Sequence, residues 1–308
     1  MQRHPAVQPG VAPRSSRPTV GGLGVWLEAA RPRTLPAAVA PVLVGTAAAA
    51  QQVLWRFVAA MVVALAVQVA VNYANDYFDG VRGVDTPARV GPRRAVAAGL
   101  VAPSRMRAAI AAAVGVAAVA GLVLAAAVGW ELLLVGLASF AALLGYSGGP
   151  RPYASSGLGE VFVFIFFGLV ATVGSTYVQD QALPAVSVLS AVPVGLLATA
   201  ILMANNLRDI ATDAAAGKRT LAVRLGDARA RAAYLVMLLA TFALVPVIAL
   251  QHGSPWPLLA LLAAPLAVAP LRLVGGGARG RPLIGALAGT AKLQLVFACL
   301  LALGLLQR

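Results

Sequence analysis

The chain has 308 residues, of which 60% are hydrophobic and 11% are charged, and its formal net charge is +14. A water-soluble domain of this length carries roughly twice that share of charged residues, because polar groups must face the solvent. The composition therefore excludes an ordinary soluble protein and favours a polytopic membrane protein. The positive charge does not indicate a nucleic-acid partner, since the positions of the basic residues between apolar runs explain it.

Nine apolar runs are candidate membrane spans, because about 20 apolar residues cross the hydrocarbon core and shielded helices need fewer. In chain order they are 35–50, 54–74, 108–128, 132–146, 161–178, 186–204, 232–250, 258–274 and 283–306. The first and fourth are short, and Pro36, Pro41, Pro265 and Pro270 predict kinks in the first and the eighth. The sequence predicts an all-α membrane protein with nine transmembrane helices.

Basic residues are concentrated on one side of these runs. Of the 24 Lys and Arg residues, all except Arg56, Lys292 and Arg308 fall in the N-terminal tail or in and beside the loops that follow the even-numbered runs. Positive residues stay in the cytoplasm, which predicts a protein of the cytoplasmic (inner) membrane with its N-terminus inside and its C-terminus outside. Residues 1–20 are rich in Pro and Arg and predict a disordered tail, not a signal peptide, before a single domain at 21–308.

Half of the ten acidic residues lie in two short stretches, each at the predicted cytoplasmic end of a run. The first stretch, 72–85, follows the second run, and the second stretch, 205–213, follows the sixth. If the helices continue, polar residues spaced by three or four lie on one face of each helix. These residues are Asn72, Asp76 and Asp79 on the first helix, and Asn205, Asp209 and Asp213 on the second.

The two acidic faces predict a magnesium site. Carboxylates four residues apart repel each other and are costly near lipid, so a cation is needed between them. Oxygen ligands without His or Cys nearby favour Mg²⁺, which shares its coordination shell with substrate phosphate. The predicted ligands are Asp76, Asp79, Asp85, Asp209 and Asp213. The alternative is a pair of solvated acidic clusters neutralised by loop arginines.

A basic segment follows each acidic stretch. Arg guanidinium groups and Lys ammonium groups suit phosphate oxygens, so the repeated order of acids and then bases predicts a diphosphate site. Ordinary positive-inside charge is the alternative for any single residue. The basic residues are Arg82, Arg89, Arg93 and Arg94 after the first stretch, and Lys218, Arg219 and Arg224 after the second.

The strings NDYFDGVRGVD with RVGPRRAVAAG, and NNLRDIATDAAAGKRTLAVRLG, resemble the two Asp-rich motifs of the UbiA-type intramembrane prenyltransferases. RPRTLP, GLGEVFVFIFFG and GTAKLQL extend the resemblance over about residues 24–305. Within that superfamily the motifs look most like the menaquinone-pathway branch, which acts on 1,4-dihydroxy-2-naphthoate. The superfamily pattern Asn-x3-Asp-x3-Asp falls on Asn75 and Asp79 but meets Gly83, so Asp85 is the candidate for its third position.

The resemblance implies one intramembrane prenyltransferase domain, with nine helices around a central cavity and polar cap loops over its cytoplasmic mouth. It implies polyprenyl diphosphate as donor, 1,4-dihydroxy-2-naphthoate as acceptor with loss of CO₂ and diphosphate, and Mg²⁺ as cofactor. A sister enzyme for 4-hydroxybenzoate or homogentisate is the alternative, and a secondary transporter is a more remote one. The length of the prenyl chain and the oligomeric state stay open.

Roles can then be assigned to residues of the two motifs and their surroundings. Asp76, Asp79, Asp209 and Asp213 are predicted to be catalytic through the metal, and Lys292, within the ninth run, through the naphthoate carboxylate or the diphosphate. A lysine that extends to the interface is the alternative for Lys292. The residues predicted to bind or surround the substrates are Asn72, Tyr73, Asn75, Tyr77, Phe78, Arg82, Arg93, Arg94, Tyr146, Glu160, Asn205, Asn206, Arg208, Lys218 and Arg219.

Overall fold

A computed structural model describes residues 22–83 and 94–307, and every regular element in these ranges is helical, which confirms the all-α prediction. The helices are α1 (Leu23–Ala30), α2 (Pro36–Ala48), α3 (Leu54–Val81), α4 (Pro103–Val128), α5 (Leu132–Ser147), α6 (Gly159–Asp180), α7 (Ala185–Ala215), α8 (Leu221–Leu225), α9 (Asp227–His252), α10 (Pro265–Gly275) and α11 (Leu283–Leu306). The predicted tail, Asp85, Arg89 and Arg93 lie outside the described residues.

Six helices, α3, α4, α6, α7, α9 and α11, are long and apolar enough to cross a membrane. The 3₁₀ segment Trp256–Ala263 and α10 form a seventh candidate when taken together, bent by 43°. α2 and α5 are apolar but have only 13 and 16 residues, less than the roughly 20 needed for a full span. All nine predicted runs are helical in the described part of the chain, but a count of nine spans is not confirmed.

The bend in the eighth run occurs where its sequence predicts it. The chain leaves the 3₁₀ segment at Ala264 and begins α10 at Pro265. Proline is suited to the first turn of a helix, because the N–H groups there have no helical partner, whereas inside a helix it removes a hydrogen bond. Pro41 in α2 and Pro270 in α10, by contrast, lie inside helices that continue past them.

α3 and α7 continue beyond their apolar runs and carry the two acidic stretches. They have 28 and 31 residues. At 1.5 Å per residue these helices are about 42 and 46 Å long, which exceeds the roughly 30 Å hydrocarbon core. Their polar ends therefore extend past the apolar layer while the side chains of the acidic stretches stay on a regular helix.

The largest apolar core lies among α2, α7, α9, α10 and α11 and includes Leu197, Tyr234 and Phe297. α3 packs against α4 and α5 in smaller clusters. α2 approaches α6 closely, since a Cβ atom on Gly45 would lie 2.1 Å from the carbonyl oxygen of Thr172. This packing leaves a cavity bordered by α2, α3, α4, α5, α6 and α7.

Candidate active site

The cavity has a volume of about 580 Å³ and is polar at the end where α3 and α7 carry their acidic stretches. The other lining residues are mainly Ala, Val, Leu, Phe and Gly from α2 to α6. Two acidic stretches that are about 130 residues apart in the chain thus line one cavity. Its polar and charged lining residues from the predicted set are Asn72, Asn75, Asp79, Arg94, Asn205, Asn206, Asp209, Asp213 and Lys218.

The carboxylate of Asp79 connects the two basic segments. Its Oδ2 atom accepts a hydrogen bond from Nη2 of Arg94 and another from Nζ of Lys218, each at 3.2 Å. Arg94 follows the first acidic stretch and Lys218 follows the second. The charges predicted to bind diphosphate therefore already meet at one point of the cavity.

Asp209 is oriented by the residue next to it. Nε and Nη2 of Arg208 donate to the two carboxylate oxygens of Asp209 at 2.8 and 2.6 Å, and Nη2 also donates to Oδ1 of Asn205 at 2.9 Å. The Arg208 side chain is only 2% exposed and does not line the cavity. A two-point guanidinium contact restricts the rotation of a carboxylate, so Arg208 holds Asp209 toward the cavity.

Asp76, a predicted metal ligand, is not among the residues that line the cavity. It is buried outside the cavity lining, and its two oxygens accept the backbone N–H groups of Ala95 and Val96 at 2.9 and 2.8 Å. Gly80 makes room for this contact, since a Cβ atom there would lie 2.9 Å from the Val96 side chain. Asp76 thus attaches the segment after Arg94 to α3, where we had expected a metal ligand.

Several predicted substrate residues join neighbouring elements. Nδ2 of Asn72 donates to Ala30 O at 2.8 Å, and Oδ1 of Asn75 accepts from the hydroxyl of Ser147. The Arg82 guanidinium donates to Ser147 O at 2.6 Å and the Tyr73 hydroxyl to Trp26 O at 3.2 Å, both outside the cavity lining. Arg219 is exposed, and its backbone N–H donates to Ser155 O at 2.9 Å.

Glu160 and Lys292 do not meet. Glu160 is buried at the start of α6, and its Oε1 atom accepts from Nδ2 of Asn206 at 2.9 Å. Lys292 is exposed on α11 and is absent from the cavity lining. The structure therefore does not bring Lys292 to the cavity lining, and its predicted substrate contact stays a prediction. Asp85 and Arg93 lie outside the described residues.

The aromatic residues at the cavity are mostly not those that we predicted. Tyr146 lines it, but Tyr73, Tyr77 and Phe78 pack in clusters elsewhere. Instead, three stacked rings form what we call the aromatic ladder, which consists of Tyr153, Phe162 and Phe166. The ring centroids of Tyr153 and Phe162 are 4.0 Å apart with planes at 22°, and those of Phe162 and Phe166 are 6.1 Å apart at 16°. The FVFIFF string was the available signal.

Tyr153 begins the ladder in the loop between α5 and α6. Its hydroxyl donates to Ala142 O at 2.7 Å, and its ring also meets Tyr146 edge to face at 5.5 Å. Burial raises the pKa of the Tyr153 phenol, so this group stays protonated at neutral pH. The ring is therefore a fixed, uncharged surface beside the charged end of the cavity.

The polar end of the cavity suits Mg²⁺ by the chemistry of its side chains. Asp79, Asp209 and Asp213 supply hard oxygen atoms, and the charges of Asp79 and Asp209 are balanced by Lys218 and Arg208. Among the described residues no three carboxylate, His or Cys side chains are grouped closely enough to enclose one ion. This agrees with the usual behaviour of Mg²⁺, which takes one or two protein carboxylates and completes its shell with water and substrate phosphate.

Comparisons of the sequence with known proteins identify one family. The profile described as the UbiA prenyltransferase family matches residues 38–281. The chain is 45% identical over 280 residues to the 1,4-dihydroxy-2-naphthoate octaprenyltransferase of Mycobacterium tuberculosis, covering 90% of this chain and 95% of the relative. It is 40% identical over 261 residues to the Escherichia coli protein of the same name, covering 81% and 84%.

Two solved structures share the fold at low sequence identity. The apo structure of a UbiA homologue from Aeropyrum pernix K1 has a TM-score of 0.66 at 20% identity, covering 88% of this chain and 95% of that one. A UbiA homologue from Archaeoglobus fulgidus, bound to DMAPP and Mg²⁺, has a TM-score of 0.63 at 15% identity, covering 91% and 98%. With the family profile and relatives above 40% identity over most of its length, the chain belongs to the UbiA prenyltransferase family.

Proposed function

We propose that the chain transfers a polyprenyl group from polyprenyl diphosphate to 1,4-dihydroxy-2-naphthoate, releasing diphosphate and CO₂ and giving demethylmenaquinol in menaquinone biosynthesis. The observation that carries the proposal is that both acidic stretches line the polar end of one cavity whose other walls are apolar. The activity for which the Mycobacterium tuberculosis and Escherichia coli relatives are named supports the choice of acceptor.

The donor needs two environments, and the cavity offers both. One or two carboxylates at a time from among Asp79, Asp209 and Asp213 would hold Mg²⁺, and Arg94 and Lys218 would bind phosphate oxygens. Bound there, Mg²⁺ would neutralise the negative charge that grows on the leaving diphosphate. The apolar lining from α4 and α5 suits the hydrocarbon tail.

Arg94 and Lys218 change partners when the donor binds. Both contact Oδ2 of Asp79 in this structure, which balances the charge of a partly buried carboxylate. The phosphate oxygens of a diphosphate carry more negative charge than one carboxylate, so both cations turn toward them. Asp79 is then free to act as a metal ligand.

The reaction itself requires charge separation in a dry cavity. The allylic C–O bond breaks, its electron pair leaves with diphosphate, and positive charge develops on the allylic carbon. Apolar walls exclude water, which would otherwise react with the allylic carbon. The ring carbon that bears the carboxylate therefore forms the new C–C bond with the allylic carbon. The bond to the carboxylate then breaks, CO₂ leaves and its electron pair restores the aromatic ring. No proton has to be removed, and no His lines the cavity within the described ranges.

Three further predicted residues act by positioning. Arg208 orients Asp209, Asp76 fixes the segment that carries Arg94, and Glu160 orients Asn206. We place the protein in the bacterial cytoplasmic membrane with its N-terminus in the cytoplasm, as a single domain at 21–308. The basic loops around the charged end of the cavity support this orientation.

The direct test uses purified protein with labelled polyprenyl diphosphate, Mg²⁺ and a panel of aromatic acids. We expect a prenylated product and an equal amount of CO₂ with 1,4-dihydroxy-2-naphthoate, and loss of both when EDTA removes the metal. Prenylation of 4-hydroxybenzoate without CO₂ release would contradict the proposed acceptor.

Asp209→Ala tests the acidic site. Loss of a group that stabilises the leaving charge costs roughly 3 kcal/mol of barrier, so kcat should fall by about 100-fold or more. Asp227→Asn is the matched control, because Asp227 pairs with Arg231 away from the cavity. Full activity of the Asp209 variant, with an unchanged elution profile in detergent, would remove this carboxylate from the proposed site.

A further inference from the structure

Helix α6 contains a seven-residue π-helical segment, Phe164–Val170, between ordinary α-helical turns. Such segments are rare and are found frequently at functional sites. On both sides of it, the residues of α6 that line the cavity recur every fourth position. They are the adjacent pairs Phe162 and Val163, Phe166 and Phe167, Val170 and Ala171, and Gly174 and Ser175, with Gly159 before them and Val178 after them.

This spacing would not form a straight stripe on an α-helix. Four residues of an α-helix turn by about 400°, so the stripe would drift by about 40° per step and about 160° between Phe162 and Val178. A π-helix has about 4.4 residues per turn, so seven residues turn by about 125° less than in an α-helix. The π-helical segment therefore cancels most of the drift and keeps the stripe on the cavity.

The opposite face of the segment is held against α7. A Cβ atom on Gly168 would lie 2.6 Å from Cα of Gly195, and one on Gly195 would lie 2.9 Å from the ring of Phe164. Only glycine at both positions permits this approach of the two backbones. Because the back of the segment is fixed, the direction of Phe162 and Phe166 is fixed as well.

The aromatic ladder lies between the two chemical regions of the cavity. It starts at Tyr153, in the loop that also supplies Ser155 to the lining beside Lys218, and continues along α6 through Phe162 and Phe166. The outer end of the ladder is therefore next to the charged end, and the inner end reaches the aliphatic lining.

Of the two substrates, the acceptor fits this surface better. A flat fused ring gains from offset stacking on an aromatic face, whereas a branched aliphatic chain packs equally well on Leu or Val. The acceptor is also a water-soluble anion that has to enter from the charged end. We propose that the aromatic ladder is the surface on which the fused ring of the acceptor stacks, an inference that rests on the proposed function.

The first experiment compares Phe162→Leu and Phe166→Leu with Phe242→Leu. Phe242 packs on Phe297 in the core outside the cavity lining and is the matched control. We expect the KM for 1,4-dihydroxy-2-naphthoate to rise roughly 3- to 10-fold in both ladder variants, with the KM for the donor unchanged. Phe166→Tyr, which keeps the ring, should restore it. An unchanged acceptor KM, or a rise in the donor KM alone, would overturn the proposal.

The second experiment compares inhibition by aromatic acids that have one ring or two. A general packing defect would change both inhibition constants alike, whereas loss of the ladder should change mainly that of the two-ring acid. The inhibition constant of 1-hydroxy-2-naphthoate should rise 3- to 10-fold in Phe162→Leu, while that of 2-hydroxybenzoate, which covers less of the ladder, should change less than 2-fold. Equal changes for both competitors would contradict stacking of the fused ring. Product and CO₂ formation by the unaltered protein in the same assay separates this failure from failure of the proposed function.

Discussion

Asp76 and Asp79 are three residues apart on one helix, yet their carboxylates have different surroundings. Three residues of an α-helix turn by about 300°, so the two side chains diverge by about 60°. That angle is enough to direct Asp79 into the cavity, toward Arg94 and Lys218, and Asp76 toward the backbone of Ala95 and Val96. Spacing along the sequence identifies acidic residues of one face but does not decide which of them borders the cavity.

The two lysines of the site prediction should behave differently. Lys218 donates to Asp79 inside the cavity, whereas Lys292 is exposed on α11. A hydrogen bond to a charged group contributes about 1.5–3 kcal/mol, so Lys218→Leu should lower kcat/KM for the donor roughly 10- to 100-fold. Lys292→Leu should change it by less than about 2-fold. Steady-state kinetics on the two variants decide this, and a large loss in Lys292→Leu would contradict the position of that residue.

From the sequence, the polar residues that line the cavity could be predicted better than the apolar ones. Asp79, Asp209 and Lys218 could be identified because charged residues are rare in an apolar chain. Phe162 and Phe166 could not, since an aromatic residue in an apolar run looks the same whether it faces lipid, core or cavity. Lys292 could not be placed relative to the cavity for a related reason, because α11 is apolar all round and its sequence does not indicate which side faces inward.

At the scale of elements, the apolar composition of the chain predicted where the helices lie. It did not predict where they end, because the ends depend on tertiary contacts. The apolar runs located every membrane helix to within a few residues, but the extension of α3 to Val81 and of α7 to Ala215 goes well past the apolar parts. The π-helical segment of α6 had no sequence signal, because it depends on how Gly168 packs on Gly195 of another helix.

At the end of the molecule opposite the charged cavity mouth, the end of α6 is hydrogen-bonded to the start of α3. Oε1 of Gln179 accepts the backbone N–H of Val53 at 2.7 Å, and the carbonyl oxygens of Val178 and Gln179 accept from Arg56 at 3.2 and 2.8 Å. Gln179 is only 2% exposed, so its partner has no ready replacement. These contacts attach the start of α3 to the end of α6.

Gln179→Leu should therefore destabilise the protein. It leaves the N–H group of Val53 without its acceptor, at a cost of about 1–3 kcal/mol for a buried group. Gln52→Leu is the control, because Gln52 is exposed and donates only to the nearby Ala49 O. Thermal unfolding in detergent measures both, and equal midpoints for the two variants would contradict the proposed attachment.

At the scale of the whole molecule, the two ends of the protein differ in the charge that is available to a ligand. The charged end of the cavity carries Arg31, Arg94 and Lys218, whereas Arg56 lies at the other end and is occupied by carbonyl oxygens of α6. A diphosphate leaving group cannot dissolve in lipid, so the charged end must open to an aqueous compartment. We propose from the positive-inside rule that this compartment is the cytoplasm.

Single cysteines test this orientation in intact bacteria. Cys299, the single cysteine of the chain, is first replaced by Ser, and Gln52→Cys and Ala216→Cys are then introduced separately at exposed positions of opposite ends. A membrane-impermeant maleimide should label the cysteine at position 52 in intact spheroplasts and the one at position 216 only after the cells are opened. The reverse pattern would place the charged end outside, where the basic loops would violate the positive-inside rule, and would contradict the cytoplasmic release of diphosphate.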